Sequence, residues 1–477
     1  MPAGAQPAGG SPPSGPLGPS PGPSPATGPG AAQPPSVTPP SPAAPSAAPP
    51  YVPPAPPTPS QTQIPSPFTL GQTGSVPTAV FEFHPTFFLS AQYTDNFQLT
   101  QTSRVSNVRT TAGPGFNLIV NAPRTQGTVS TSLNVAHDSA TEGFNHAFFP
   151  SFSANLRHTF GPELSVTLTD SFTRNDDGAQ ADPFGLRRER ALFAANSFGV
   201  SVDWLVGAFA TQAYYRNSLF FSDENTFANI FGLNASTRLG ALNTLRVGYE
   251  LSFSQSSGTD TSGITGRPPG STDDSVGQLF LASLSRQLGA FASGGVSTTY
   301  SMQSRDDSSV WNISLFLGYG LPSGLSISGS LGYSLLSSAN QDTTSAVSTS
   351  TSIGYRFGLL AVSLGVSQDF RQTYLTGQDF GIVLTRSVSA SASYPWTPFM
   401  SSSIFASYSE NEFTGTGNVQ QGQKFNRFAA GATFGWQILR WLSMSLSYSY
   451  TDTSGDATIQ GAGTSENRAT LSFSAAF

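Results

Sequence analysis

The chain has 477 residues and a formal net charge of −6, and 10% of its residues are charged, against about 25% in an average soluble domain. It has no cysteine, which excludes disulfides and thiolate metal sites. Its basic residues form no run that would suggest nucleic-acid binding. We also find no stretch of ~18 consecutive apolar residues, so a transmembrane helix is not expected.

Residues 1–78 differ in composition from the rest of the chain. They are rich in Pro, Ala, Ser and Gly, as in PGPSPATGPGAAQPPSVTPP. Such a segment cannot bury enough apolar surface to offset its ordering entropy, so it is predicted to be a disordered tether. Its first residues show neither the basic nor the apolar region of a signal peptide. Two interpretations stay open: an arm that contacts a periplasmic or cell-wall partner, or a leader region without that role.

Residues 79–477 show a period of two. In LSMSLSYSYTD (442–452), Leu442, Met444 and Leu446 share one parity with two tyrosines, and serines occupy the other. Successive side chains of a strand point to opposite faces. This pattern therefore predicts a strand with an apolar face and a small polar face, as expected between lipid and a water-filled lumen.

Short and long reversals alternate along this region. Short ones include LVGAF (205–209) and FGLL (357–360), and long ones include QSSGTDTSGITGRPPGSTDD (255–274). Counting the segments between them gives about twenty strands, and bacterial outer-membrane barrels have an even number with short periplasmic turns. We therefore predict an all-β fold, a transmembrane antiparallel up-and-down barrel over residues 79–477. The expected location is the cell outer membrane, with both termini periplasmic.

Aromatic residues lie at two heights of the predicted strands. The candidates for a periplasmic girdle, beside short turns, are Trp204, Trp396, Trp436 and Trp441, and those for an outer girdle are Tyr448 and Tyr450. Such belts mark the two membrane interfaces. The alternative, a soluble β core, would place bulky residues in mid-strand.

Ten charged residues within the strands fall on the inner parity by alternation. The lumen-facing candidates are Arg157, Asp203, Arg238, Arg246, Glu250, Arg356, Asp369, Arg371, Arg427 and Arg468. An arginine facing lipid at the midplane would cost roughly 2–4 kcal/mol, which supports this parity. Either these charges form ion pairs that brace the wall, or they make a weakly cationic pore behind an acidic mouth, with mild anion preference. The acidic mouth would come from loop aspartates such as Asp176 and Asp177.

No motif indicates catalysis. The four histidines, His84, His137, His146 and His158, lack metal-site spacing, and no hydrolase or nucleotide-binding motif is present. The sequence predicts no enzyme activity, no metal and no cofactor.

Two segments resemble known outer-membrane proteins. The last strand, RATLSFSAAF (468–477), with Phe473 and Phe477, looks like the C-terminal assembly signal of Gram-negative barrels. That resemblance implies the barrel-insertion machinery as a partner, together with outer-membrane lipid and lipopolysaccharide. The segment FFLSAQYTDNFQLTQTSRVSNVRTTAGPGFNLIV (87–120) resembles the first hairpin of the β-barrel porin type 2 group, including its Y-x-D-N turn and the Pro-Gly of its second strand. Members of that group are often linked with exopolysaccharide loci.

Three functions are compatible with these patterns. The first is a porin-like channel for hydrophilic solutes, since about twenty strands make a lumen too wide for side chains alone to fill. The second is an exopolysaccharide-export conduit, which the resemblance implies. The third is a structural or adhesive barrel with a closed lumen.

Overall fold

The structure, a computed structural model, describes residues 80–140, 146–176, 192–221, 224–258, 272–304, 307–339, 341–372, 382–414, 422–456 and 463–477. The predicted tether, residues 1–78, lies outside this range. The described residues form twenty strands. These are β1 (Val80–Thr94), β2 (Asn107–Asn121), β3 (Thr125–Asp138), β4 (His146–Gly161), β5 (Leu164–Asn175), β6 (Phe193–Val206), β7 (Phe209–Phe221), β8 (Glu224–Leu239), β9 (Asn243–Gly258), β10 (Thr272–Gln287), β11 (Ala292–Gln303), β12 (Ser308–Gly320), β13 (Leu325–Ser338), β14 (Gln341–Phe357), β15 (Leu360–Gln372), β16 (Ile382–Thr397), β17 (Met400–Phe413), β18 (Lys424–Leu439), β19 (Leu442–Gly455) and β20 (Thr464–Ala476).

The strands close into one antiparallel barrel. Each strand pairs with its neighbours along the chain, and β1 pairs with β20 from Thr86 opposite Ala476 to Thr94 opposite Arg468. Closure leaves no sheet edge, which is the condition for crossing lipid with strands. The predicted all-β up-and-down barrel of about twenty strands is confirmed. Among the residues that the structure covers, no helix is long and apolar enough to span a membrane.

Large apolar side chains lie exposed on the outer face. On β19, Leu446 and Tyr448 are about half exposed, whereas Ser443 and Thr451, on the other parity, are buried. The same alternation continues through the other strands, with exposed Val, Leu, Ile, Phe and Tyr on the outward parity. An apolar surface of this extent on a closed barrel is suited to lipid contact.

The short turns at the periplasmic end are tight. Val206 pairs with Phe209, so two residues connect β6 to β7, and the first of them, Gly207, has a φ of 58°. Two-residue hairpin turns need such positive φ angles, which glycine adopts without a steric penalty. This explains the glycine in the LVGAF reversal seen in the sequence.

Serines join neighbouring strands along the inner wall. Among the described residues, their hydroxyls lie at hydrogen-bond distance in five pairs: Ser132–Ser151 (2.7 Å), Ser297–Ser314 (2.8 Å), Ser328–Ser352 (2.9 Å), Ser363–Ser391 (2.7 Å) and Ser367–Ser387 (2.7 Å). Cross-strand hydroxyl pairs of this kind stabilise a sheet. They also make the inner wall polar without adding charge.

Polar groups interrupt the outer face at several places toward the extracellular side, two of them on β16–β18 and on β5 and β6. On β16–β18, Arg386 is paired with Glu410 and Glu412, and Lys424 lies 3.4 Å from Glu410. On β5 and β6, Asn196 donates to Asp170 at 2.8 Å. Their partners reduce the cost of placing these groups on an outward parity. We infer that the apolar surface of the outer face ends further from the extracellular rim on these strands than on the others.

Candidate functional site

The ten lumen-facing candidates lie on the parity opposite to the exposed apolar side chains. Several have polar partners: Arg157 donates to Ser165, Gln212 donates to Asp203, and Ser334 donates to Asp369. Arg238, Arg246 and Arg356 belong to no ion pair among the described residues. These ten residues are spread around the lumen, and two of them, Arg246 and Glu250, line one recess.

The girdle candidates lie on the outward parity. Trp396, Trp436, Trp441 and Tyr448 are exposed there. Trp204 and Tyr450 are only partly exposed. The ring of Phe477 stacks on Trp441, with centroids 5.6 Å apart, and Phe473 lies opposite Leu89 in the β1–β20 pairing.

A recess of about 310 Å³ lies in the wall formed by β5–β10. Its polar lining includes Gln212, Tyr214, Arg216, Asn234, Arg246 and Glu250, with Leu279 and Leu281 on one side. This is the lower end of the volume range of small-molecule sites, which combine apolar walls with a few placed polar groups. The recess is therefore large enough for a small solute.

Tyr214 organises one side of the recess. It lies opposite Gly232, which in turn lies opposite Glu250. Its ring crosses β8 over Gly232, and its hydroxyl donates a hydrogen bond to Glu250 Oε2 at 2.6 Å. The side chain thereby reaches from β7 to β9, across two strand spacings of about 5 Å each. A Cβ atom at Gly232 would lie 2.0 Å from Tyr214 Cζ. The missing side chain on β8 thus permits the contact between β7 and β9.

Arg216 completes this group. Its guanidinium stacks on Tyr214, 4.7 Å from the ring centroid, and donates to Glu250 Oε2 at 3.0 Å. Glu250 is thereby neutralised by a charge-assisted pair and a phenol hydrogen bond. Arg246 lies on the same strand as Glu250 and lines the same recess, but has no hydrogen-bond or ion-pair partner among the described residues.

The extracellular end of the lumen is closely packed. We call the buried, inward-facing residues there the mouth layer; it comprises Thr94, Asn107, Arg109, Asp138, Phe193, Phe220, Val383, Thr385, Asn411, Phe413, Phe425, Thr453 and Glu466. Val383 and Phe425 have no exposed surface. Inward side chains toward the periplasm, such as Ser328, Ser363 and Arg356, are exposed. Inward side chains are thus buried at the extracellular end, whereas several toward the periplasm are exposed.

Arg109 holds one side of the mouth layer. Its Nε and Nη2 atoms donate to the two carboxylate oxygens of Asp138 (2.8 and 2.6 Å), and Nη1 and Nη2 donate to those of Asp176 (2.7 and 2.5 Å). The guanidinium also lies 5.5 Å from the ring centroid of Phe149. Two bidentate pairs use the planar geometry of arginine. Arg109 is shared between the two carboxylates, so this group keeps one net negative charge, and the acidic mouth stays a prediction. Asp177 lies outside the described residues.

The first extracellular loop, residues 95–106, closes the seam between β1 and β20. Asp95 accepts hydrogen bonds from the backbone and side-chain nitrogens of Asn467, both at 2.7 Å. Asn96 donates to the backbone oxygens of Thr100 (2.9 Å) and Ser465 (3.0 Å). These two residues are the D-N of the Y-x-D-N turn. That motif therefore fastens the loop to the last strand.

Leu99 of the same loop shows that its conformation is imposed by packing. Its φ of 51° is in the left-handed region, and its side chain is 2% exposed. A non-glycine residue pays roughly 1–2 kcal/mol for that backbone conformation. Burial of the leucine side chain offsets this cost.

Sequence patterns missed the residues that shape both sites. Tyr214 and Tyr215 are adjacent, so alternation could not assign a face to either or to Arg216. In β2 the consecutive apolar residues Leu118, Ile119 and Val120 obscured the parity of Arg109. One signal in the sequence could have identified Arg109. It lies two residues after Asn107, where β2 begins after a long loop, and therefore near the extracellular end of the barrel.

No family model matches the sequence, and neither does any curated protein. Among solved structures, the chain is similar to the ferric-catecholate import receptor Fiu from E. coli K12 in its open form, with a TM-score of 0.50 and 11% identity over 83% of this chain and 82% of that one. It is also similar to the siderophore receptor PirA from Pseudomonas aeruginosa and from Acinetobacter baumannii, each with a TM-score of 0.49 and 10% identity over 83% and 80% of the two chains.

These similarities extend to the fold alone. The closed barrel, its apolar outer face and the short turns at one end define the class: an outer-membrane β-barrel protein. The location expected from the sequence, the outer membrane, is thereby confirmed. At these identities the likeness carries nothing about the solute.

Proposed function

We propose that the chain is an outer-membrane passage for small hydrophilic solutes, with mild anion preference and a narrow extracellular mouth. The observation that carries this proposal is the polar inner wall toward the periplasm, where Arg238, Arg246 and Arg356 belong to no ion pair among the described residues. Asp203, an acidic candidate that is also toward the periplasm, accepts a hydrogen bond from Gln212. A wall with unpaired cations raises the local concentration of anions.

Conductance across a planar bilayer tests the proposal. With a salt gradient, the reversal potential of the refolded protein should indicate anions as the preferred ions. Replacing Arg238, Arg246 and Arg356 together by glutamine should shift it toward cations. A clear cation preference in the unaltered protein would refute the anion preference.

The mouth layer favours a second candidate, a structural or adhesive barrel with a closed lumen. Burial of inward side chains at the extracellular ends is what such a barrel needs. A folded protein, recognised by its heat-modifiable band on a gel, that never conducts would support this alternative. Export of a polysaccharide is the less favoured alternative, because it would require a path wide at both ends and the inward side chains of the mouth layer are buried.

We also propose membership of the β-barrel porin type 2 group, on the resemblance of the first hairpin with its Y-x-D-N turn and the Pro-Gly of its second strand. The seam contacts of Asp95 and Asn96 give this motif a structural role that a whole group could share. The C-terminal strand supports recognition by the barrel-insertion machinery, and residues 1–78 remain a candidate arm for a periplasmic or cell-wall partner.

A further inference from the structure

The charges of the recess between β5 and β10 are not balanced. Arg216 is paired with Glu250 through a 3.0 Å hydrogen bond, which leaves Arg246 as an additional cation in the same recess. Arg246 is partly shielded from solvent by the recess walls. An arginine fork without a protein acceptor, partly withdrawn from bulk water, is suited to bidentate binding of a carboxylate.

The other lining residues add neutral hydrogen-bonding groups. Gln212 and Asn234 each offer an amide with donors and an acceptor, and Thr167 and Thr169 offer hydroxyls. Leu279 and Leu281 form an apolar side. Amides and hydroxyls beside a cation and an apolar wall match a ligand with hydroxyl groups on a short carbon chain.

We propose that this recess binds a small organic carboxylate that carries hydroxyl groups, a hydroxy acid, with the carboxylate on Arg246. Its role as a station for a solute in transit rests on the proposed function, whereas binding itself does not. Tyr214, Arg216 and Glu250 are positioning residues, because they are bound to one another and fix the shape of the recess.

Titration calorimetry of the refolded barrel in detergent tests this proposal, with D-gluconate as the probe. D-glucose, which lacks the carboxylate, and propionate, which lacks hydroxyls, serve as comparison ligands. Gluconate should bind more tightly than either. Arg246→Gln should weaken gluconate binding about 10- to 100-fold, the range expected for losing a charge-assisted hydrogen-bonded pair.

Arg356→Gln is the matched control, because Arg356 is also an inward arginine outside any ion pair of the described residues and lies on β14, outside the recess. It should leave gluconate affinity unchanged. Arg246→Lys keeps the charge and loses the fork, so its affinity should fall between those of the unaltered protein and Arg246→Gln. The heat-modifiable band shows which variants are folded.

Three results would overturn the proposal: no saturable gluconate binding by the folded protein, equal affinities for gluconate and glucose, or equal effects of Arg246→Gln and Arg356→Gln. Each of these results can be distinguished from a failure of the proposed passage function. A barrel that binds gluconate but never conducts would refute the proposed function and keep the site. A barrel that conducts without binding gluconate would do the reverse.

Discussion

Tyr214 can lie across the inner wall only because Gly232 has no side chain. This single position connects β7 to β9 and holds the carboxylate of Glu250 beside Arg216. A buried carboxylate needs such partners, since burial without them costs several kcal/mol. At the residue scale, the recess is thus a consequence of one glycine and one tyrosine.

Gly232→Ala should displace the tyrosine ring and break its hydrogen bond to Glu250, because the added Cβ would lie 2.0 Å from Tyr214 Cζ. We expect the free energy of unfolding to fall by about 2 kcal/mol, as measured by urea titration in lipid vesicles. Gly435→Ala is the control, since its Cβ would meet only Ser401 Oγ at 3.4 Å. Equal effects of the two substitutions would contradict this account.

Arg109→Met should be more harmful, because it leaves the carboxylates of Asp138 and Asp176 in the mouth layer without their cation. Removing one partner of a buried ion pair typically lowers the free energy of unfolding by about 3–5 kcal/mol. The same urea titration measures it. Arg286→Met, at an outward position near the periplasmic end, should leave the free energy of unfolding almost unchanged. A similar loss in both variants would show that the ion pairs of Arg109 do not stabilise the barrel.

At the scale of elements, the first loop and the last strand form one unit. The loop carries Asp95, Asn96 and Leu99, and β20 supplies Ser465 and Asn467 as partners. The contacts join the two ends of the chain where β1 meets β20. Closure of the barrel therefore depends on side-chain bonds at its extracellular rim as well as on the backbone ladder.

Asp95→Ala should weaken this seam, because it removes both hydrogen bonds from Asn467. Hydrogen bonds to a charged group contribute about 1.5–3 kcal/mol each, so the barrel should unfold at lower urea. Hydrogen exchange of the β20 amides should also accelerate. Asp342→Ala, at an exposed position of β14, provides the comparison, and unchanged exchange at β20 in Asp95→Ala would argue against the seam.

The strands could be predicted from the sequence, whereas the sites could not. Alternation as clean as that of LSMSLSYSY fixes both the strand and its faces, and the short turns fix the neighbours. The Tyr214–Glu250 contact depends instead on the register between β7, β8 and β9, which local patterns do not encode. Arg109 and Asp176 are 67 residues apart, so their pairing follows from the closed barrel and not from any motif.

At the scale of the whole molecule, the barrel separates lipid from water along every strand. A pair of substitutions at neighbouring positions of β19 tests this separation. Leu446→Arg should lower the free energy of unfolding by about 2–4 kcal/mol, because it places a cation on the lipid face. Ser447→Arg, which points into the lumen, should cost far less. Urea titration of both variants in vesicles decides the assignment, and the opposite order would reverse the two faces.

The two ends of the lumen differ in the exposure of their inward side chains, and access from each side can be measured directly. The chain has no cysteine, so single cysteines can report access without background. Ser328→Cys places a thiol on the exposed inner wall toward the periplasm, and Thr453→Cys places one in the mouth layer. A bulky polyethylene-glycol maleimide, added either to intact cells or to isolated outer membranes open on the periplasmic side, reports from which side each thiol is reached.

We predict that the Ser328→Cys thiol reacts in isolated membranes and not in intact cells, and that the Thr453→Cys thiol stays unreactive in both. Rapid labelling of Ser328→Cys in intact cells would contradict the narrowed mouth and show a wide pore open to the outside.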